Sequence, residues 1–190
     1  MVRPLILAFA ASLLLADVAK AELVLTPTVD EFVLDGAKLK QLAFFDGGQK
    51  VTYQSPHGWD YSGSATQLTL HPPGKPQAVA TITRVSHPEP IRFDDETLKK
   101  LVDEAVTLVP KDSTNVGVES QEKAPLRIGR RDTFLLVLSY GLLGQTYNRS
   151  ILFINRDNGE QIRCQLTCSA ADFKNLQKAF LGSQYTWRNL

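Results

Sequence analysis

The chain has 190 residues, of which 21 are basic, 20 acidic and 43% hydrophobic. That length describes one domain, and the near-neutral charge excludes the basic footprint of a nucleic-acid-binding protein. Two cysteines and three histidines leave little for a disulfide scaffold or a metal cluster.

Residues 1–21 read as a targeting segment. Arg3 supplies the positive start, Leu5 to Leu15 is apolar but short for a membrane span, and Ala19-Lys20-Ala21 fits a small-x-small cleavage site. The exported chain would begin at Glu22, with no later apolar run of membrane-spanning length. Losing Arg3, Lys20 and Asp17 brings its basic and acidic residues into balance. A chain of the remaining length buries about two-thirds of its unfolded surface and needs no staple.

Residues 22–39 read as a lead-in, with Leu23-Val24-Leu25 and Phe32-Val33-Leu34 as short edge pieces parted by Pro27. Leu42 to Phe45, the turn Asp46-Gly47-Gly48-Gln49, and Lys50 to Gln54 predict a β-hairpin. Ser55-Pro56-His57-Gly58-Trp59 then turns the chain sharply. Thr66, Leu68 and Leu70 alternate with polar residues as a half-buried strand. Pro72, Pro73 and Pro76 interrupt pairing, and Gln77 to Val85 resumes it.

Asp94 or Asp95 can cap a helix over 94–109, with Leu98, Leu101, Val102, Ala105 and Val106 as its apolar stripe and Pro110 as its stop. Val116 and Val118 make a short strand. The unbroken apolar runs Phe134–Leu138 and Ile151–Ile154 predict central strands covered on both faces. Gly141-Leu142-Leu143-Gly144 is the turn between them, and Asp157-Asn158-Gly159 signals a further hairpin. Ser169, with Asp172 three residues on, caps a last helix over 170–181 that Gly182 ends.

Cys164 and Cys168 fall on one face of the strand before that helix. Four residues along a strand span about 13 Å, beyond the roughly 7 Å Cα limit of a bridge. They read as two small buried apolar residues, although a bulge between them would bring a bridge within reach. Hairpins joined in this order give a mainly antiparallel sheet of α+β type with helices on its faces, layered as an α/β/α sandwich.

A strand ending in Tyr53, then Pro56-x-Gly58-Trp59, a strand pair, a helix and a four-strand run closing on a helix resembles the PsbP-like family. That family is named for an extrinsic subunit of photosystem II. The likeness covers residues 40–190 and leaves 22–39 outside. It implies a non-catalytic α/β/α module that binds a protein partner, and it carries over no catalytic residue.

The chemistry-bearing residues point the same way. His57, His71 and His87 sit in separate loops without ligand spacing, so no metal or cofactor is expected. A small exported hydrolase or metal-binding protein could draw on His57, Asp60 and Ser62 or Ser64. Yet no Gly-x-Ser-x-Gly elbow is present, and a cluster this local reads as polar loop. Arg127, Arg130 and Arg131 make a small basic turn, and Asn148-Arg149-Ser150 matches a glycosylation sequon. The expected function is therefore to bind a protein partner in the cell envelope. Leu142 and Leu143 are the leading surface candidates, joined by Trp59, Tyr61 and Tyr147 wherever these stay exposed.

Overall fold

The computed structural model describes residues 22–156 and 159–190. The expected targeting segment, and Asp157 and Asn158 of the expected hairpin turn, lie outside the described residues.

Alternation decides the centre of the fold. Strands β8 (Thr133–Leu142) and β9 (Gln145–Asn155) pair antiparallel, with Phe134 opposite Phe153 and Leu136 opposite Ile151. Phe134, Leu136, Leu138, Ile151 and Phe153 face one way and pack on Leu98, Leu101 and Ala105 of helix α1 (Asp95–Thr107). Leu135, Val137, Leu152 and Ile154 face the other way, into a second core. That is why both runs are apolar without interruption. Asp94 caps α1 by accepting from the Thr97 N–H at 2.8 Å. This bond to the charged carboxylate holds the Asp94 pKa below its ordinary value.

Five more strands complete this sheet: β4 (Asp60–Gly63), β5 (Gln67–His71), β6 (Val79–Ser86), β7 (Thr114–Lys123) and β10 (Glu160–Ser169). The order is β4-β5-β6-β10-β9-β8-β7, and every pair is antiparallel. Strand β7 runs past the expected short piece because its backbone pairs with β8 while its polar side chains stay in water. Strand β10 has no register break against either neighbour, so Cys164 and Cys168 both point inward, buried and unbonded.

The second core has a cover that the sequence did not announce. Strands β1 (Leu23–Leu34), β2 (Ala37–Asp46) and β3 (Gln49–Tyr53) form a separate three-stranded antiparallel sheet. Leu23, Leu25, Leu42, Phe44, Val51 and Tyr53 from this sheet share a core with Leu68, Leu70, Ala80 and Ile82. Helix α2 (Ala170–Gln184) adds Phe173 and Phe180 to the same core. So the expected antiparallel sheet with helices is present, but α2 shares its face with a second sheet.

At the inner end of residues 22–39, Leu23 and Leu25 are buried in this core, as the expected edge packing of that segment would place them. Pro27 does not break β1, because it sits in a register shift between Val24 and Thr28 on an edge strand, where no ladder N–H is required. Gly182 does not end α2 either. The helix continues to Gln184, where Ser183 and Gln184 are buried against Tyr53.

Candidate protein-binding surfaces

Two hairpin ends carry exposed apolar side chains. The first joins β8 to β9. Its turn is Leu143-Gly144, with φ of +50° and +77°. Both values are positive, as a two-residue hairpin turn of the right twist requires. Leu143 is 93% exposed, and Leu142 beside it is half-buried. Behind the tip, the rings of Tyr140 and Tyr147 stack with centroids 5.8 Å apart. The Arg149 guanidinium lies over Tyr140, and its Nη1 donates to the Leu108 carbonyl at 2.9 Å. The Tyr147 hydroxyl donates to Gln77 Oε1 at 3.1 Å. The tip thus stands on a fixed aromatic base.

The second is the outer half of the β1–β2 hairpin. Strand β3 pairs only with Leu42 to Asp46, so residues 28–41 form a two-stranded ribbon beyond it. Asp35 and Gly36 make its tip, with φ of +49° and +79°. Val33 is 66% exposed, and Val29 and Leu34 are each 55% exposed. Val29, Lys40, Gln41, Leu42, Ser55 and Tyr61 line one shallow depression at its root. Sequence reasoning missed this ribbon, although Asp35-Gly36 between apolar runs was a hairpin signal.

The expected surface of Leu142, Leu143, Trp59, Tyr61 and Tyr147 does not assemble as one patch. Gly58, with φ +76°, and the bond from the Trp59 N–H to the Pro56 carbonyl at 3.1 Å turn Trp59 inward. There it stacks on Phe180 at 6.1 Å and is 8% exposed. Tyr61 is exposed, but on β4, five strand spacings from the β8 tip. That separation is on the order of 24 Å. Tyr61 belongs with the ribbon, while Leu142, Leu143 and Tyr147 belong with the tip.

The residues of the hydrolase alternative are not brought together. His57, Asp60, Ser62 and Ser64 are all exposed, and no hydrogen bond joins any two of them among the described residues. Asp60 pairs in register with His71 across β4 and β5. His87 is half-buried; burial, and then the Arg163 charge, push its pKa below the ordinary value. Among the described residues no three of His, Cys, Asp and Glu converge, and no helix is long and apolar enough to cross a membrane.

Two buried polar groups fix the small sheet in place. In the first, the Tyr53 hydroxyl meets Ser183 Oγ at 2.6 Å, and Ser183 Oγ donates to the Phe180 carbonyl at 2.7 Å. Gln184 Nε2 donates to Tyr53 Oη at 3.3 Å and to the Phe180 carbonyl at 3.0 Å. Its Oε1 accepts from Trp187 Nε1 at 3.0 Å and from Cys164 Sγ at 3.2 Å. Burial pushes the Tyr53 and Cys164 pKa values well up, so both stay protonated donors. In the second, Arg156 pairs with Glu160 and with Asp46 of β2, and Arg84 pairs with Glu160 and Glu22. These charges come from five strands or strand ends, so no local motif announced them.

No family model matches the chain, and no curated protein matches its sequence. Solved structures do match. The Ran-binding protein Mog1p of Saccharomyces cerevisiae superposes with a TM-score of 0.51 at 10% identity, over 85% of this chain and 95% of that one. The cyanobacterial PsbP protein of Synechocystis gives 0.49 at 10% identity, over 73% and 85% of the two chains. A Pseudomonas aeruginosa protein of unknown function, PA94, gives 0.49 at 17% identity, over 83% and 94%. The chain shares the fold of Mog1p.

Proposed function

We propose that the protein is an exported, non-catalytic module of the PsbP-like kind that binds a protein partner in the cell envelope. The observation that carries this reading is where the large exposed apolar side chains lie. Leu143 and Val33, the two most exposed large apolar side chains among the described residues, stand on the two hairpin ends, with Val29 and Leu34 beside Val33, while His57, Asp60, Ser62 and Ser64 share no hydrogen bond. Exposed apolar groups concentrated on projecting elements mark interaction surfaces. A fold that serves Mog1p, a Ran-binding protein, is compatible with such a role. Export rests on the Arg3, Leu5–Leu15 and Ala19–Ala21 pattern.

The test is a pull-down from the native envelope fraction with three chains: wild type, Leu142→Asp with Leu143→Asp, and Val33→Asp with Leu34→Asp. The expected result is a partner retained by wild type and lost by one of the paired variants. Equal recovery by all three, or no partner at all, removes the reading.

A further inference from the structure

Among the described residues the two sheets offer several strand edges, and most are closed. Strand β4 is four residues long and lies against β1. A Cβ on Gly63 would sit 2.4 Å from the Pro27 ring and 2.7 Å from the Leu25 carbonyl. Strand β7 is longer, but its register shifts after Thr114 and again after Val118, and Asn115 has φ +51°. Such bulges turn an edge away from pairing. The free side of β3 is taken by the C-terminal tail. Thr52 N donates to the Arg188 carbonyl at 3.2 Å, and Arg188 N returns a bond to Thr52 at 3.0 Å.

The ribbon is different. From Thr28 to Leu34, β1 has no register shift and, among the described residues, no strand on its outer side. These seven residues present roughly 20 Å of unpaired backbone. The free end of β2 opposite is shorter, residues 37–41, and carries Lys38 and Lys40 with one large apolar side chain, Leu39. Lysines on an edge discourage pairing. A two-stranded ribbon is marginal in water by itself, so a third strand would stabilise it.

Charge selects the occupant. Asp30 is already held by Lys50 at 2.8 Å and by Gln41 at 3.0 Å. Glu31 is exposed opposite Lys40 of β2, and among the described residues its side chain has no ion pair or hydrogen bond, so its outer side has no cationic neighbour on the chain. Alternation puts Val29, Glu31 and Val33 on one face of β1. A second copy pairing along the whole segment about a two-fold axis would set Glu31 directly opposite the second copy's Glu31. Like charges directly opposite are destabilising.

We propose that the outer edge of β1, Thr28 to Leu34, receives an extended strand of a partner protein, with a basic residue against Glu31 and apolar residues against Val29 and Val33. This inference rests on the protein-binding reading above and names its surface. Main-chain bonds to the edge supply affinity, and the alternate side chains supply selection.

The probes are a fluorescein-labelled peptide, Thr-Val-Ile-Lys-Thr-Val-Thr, and its twin with glutamate in place of lysine, followed by anisotropy against the full chain. Saturable binding of the lysine peptide, roughly fivefold tighter than its twin, is expected from a favourable against an unfavourable cross-strand charge pair. Glu31→Lys, an exposed change whose fold is checked by circular dichroism, should reverse that order. Leu143→Asp should leave it unchanged. The proposal is overturned by equal affinities, by no saturable binding of either peptide, by tighter binding of the glutamate twin to wild type, or by concentration-dependent dimers in sedimentation. A native partner lost with Leu143→Asp but kept with Glu31→Lys also overturns it, while leaving the broader protein-binding reading in place.

Discussion

The β1–β2 hairpin is two materials in one element. At its root, Leu23, Leu25 and Phe44 are fully buried, and the Trp187 ring lies against Phe44 with centroids 5.7 Å apart. A few residues further out, Val33 is 66% exposed, and the ribbon pairs with nothing beyond itself among the described residues. The outer half is more charged, with Asp30, Glu31, Lys38 and Lys40, yet it too carries large apolar residues, Val29, Phe32, Val33, Leu34 and Leu39. What differs is the surface across from them: the root faces the seven-stranded sheet and α2, and the outer half runs past their edge. The lesson is that the root carries folding stability and the outer half is free to carry recognition.

The largest blow to that contrast should come from the root. Phe44→Ala removes a ring from the second core and should cost about 3–5 kcal/mol in denaturant unfolding. Arg156→Leu leaves Asp46 without its buried partner. It should cost about 3 kcal/mol, since removing one partner strands the other charge. Gln184→Leu deprives Trp187 Nε1, Cys164 and Tyr53 of their shared partner. About 1–3 kcal/mol is expected from leaving buried groups unmatched.

A smaller effect reads the core beneath the root by pH, through Cys168 of β10. Burial pushes the Cys168 thiol from 9.0 up to about 11. Its folded pKa is raised, so its contribution to stability is fully present below the unfolded value and is lost as pH rises toward 11. The urea midpoint should therefore fall over that alkaline window more steeply in wild type than in Cys168→Ala. Equal slopes would contradict the burial account. The smallest effect belongs to the outer ribbon: Val33→Ser with Leu34→Ser should change stability by no more than about 0.5 kcal/mol.

The legible parts of the fold were those where one segment's pattern settles its own surroundings. The stripe of α1, the capping residues Asp94 and Ser169, the Gly47-Gly48 turn and the two-faced runs of β8 and β9 all met the surroundings they implied. The small sheet was less legible, because Pro27 reads as a break unless its place on an edge is known. The surface was least legible. Trp59 in a glycine turn could plug a core or face solvent, and only Phe180, far along the chain, decides. Likewise the sequence left open whether Tyr61 and Leu143 share a patch, and the strand order puts them on separate parts of the molecule.

The most direct measurement uses a chain in which the far part of the outer ribbon, residues 32–39, is cut away, which shortens the free edge of β1 to Thr28–Glu31. Glu31 and Lys40 are register partners. Replacing residues 32–39 by Asn-Gly should therefore close a two-residue hairpin turn between them. Unfolding and capture of the envelope partner would be measured on the same preparation. The account predicts an unfolding midpoint close to wild type and loss of the partner. A strongly destabilised chain that still captures the partner would contradict it.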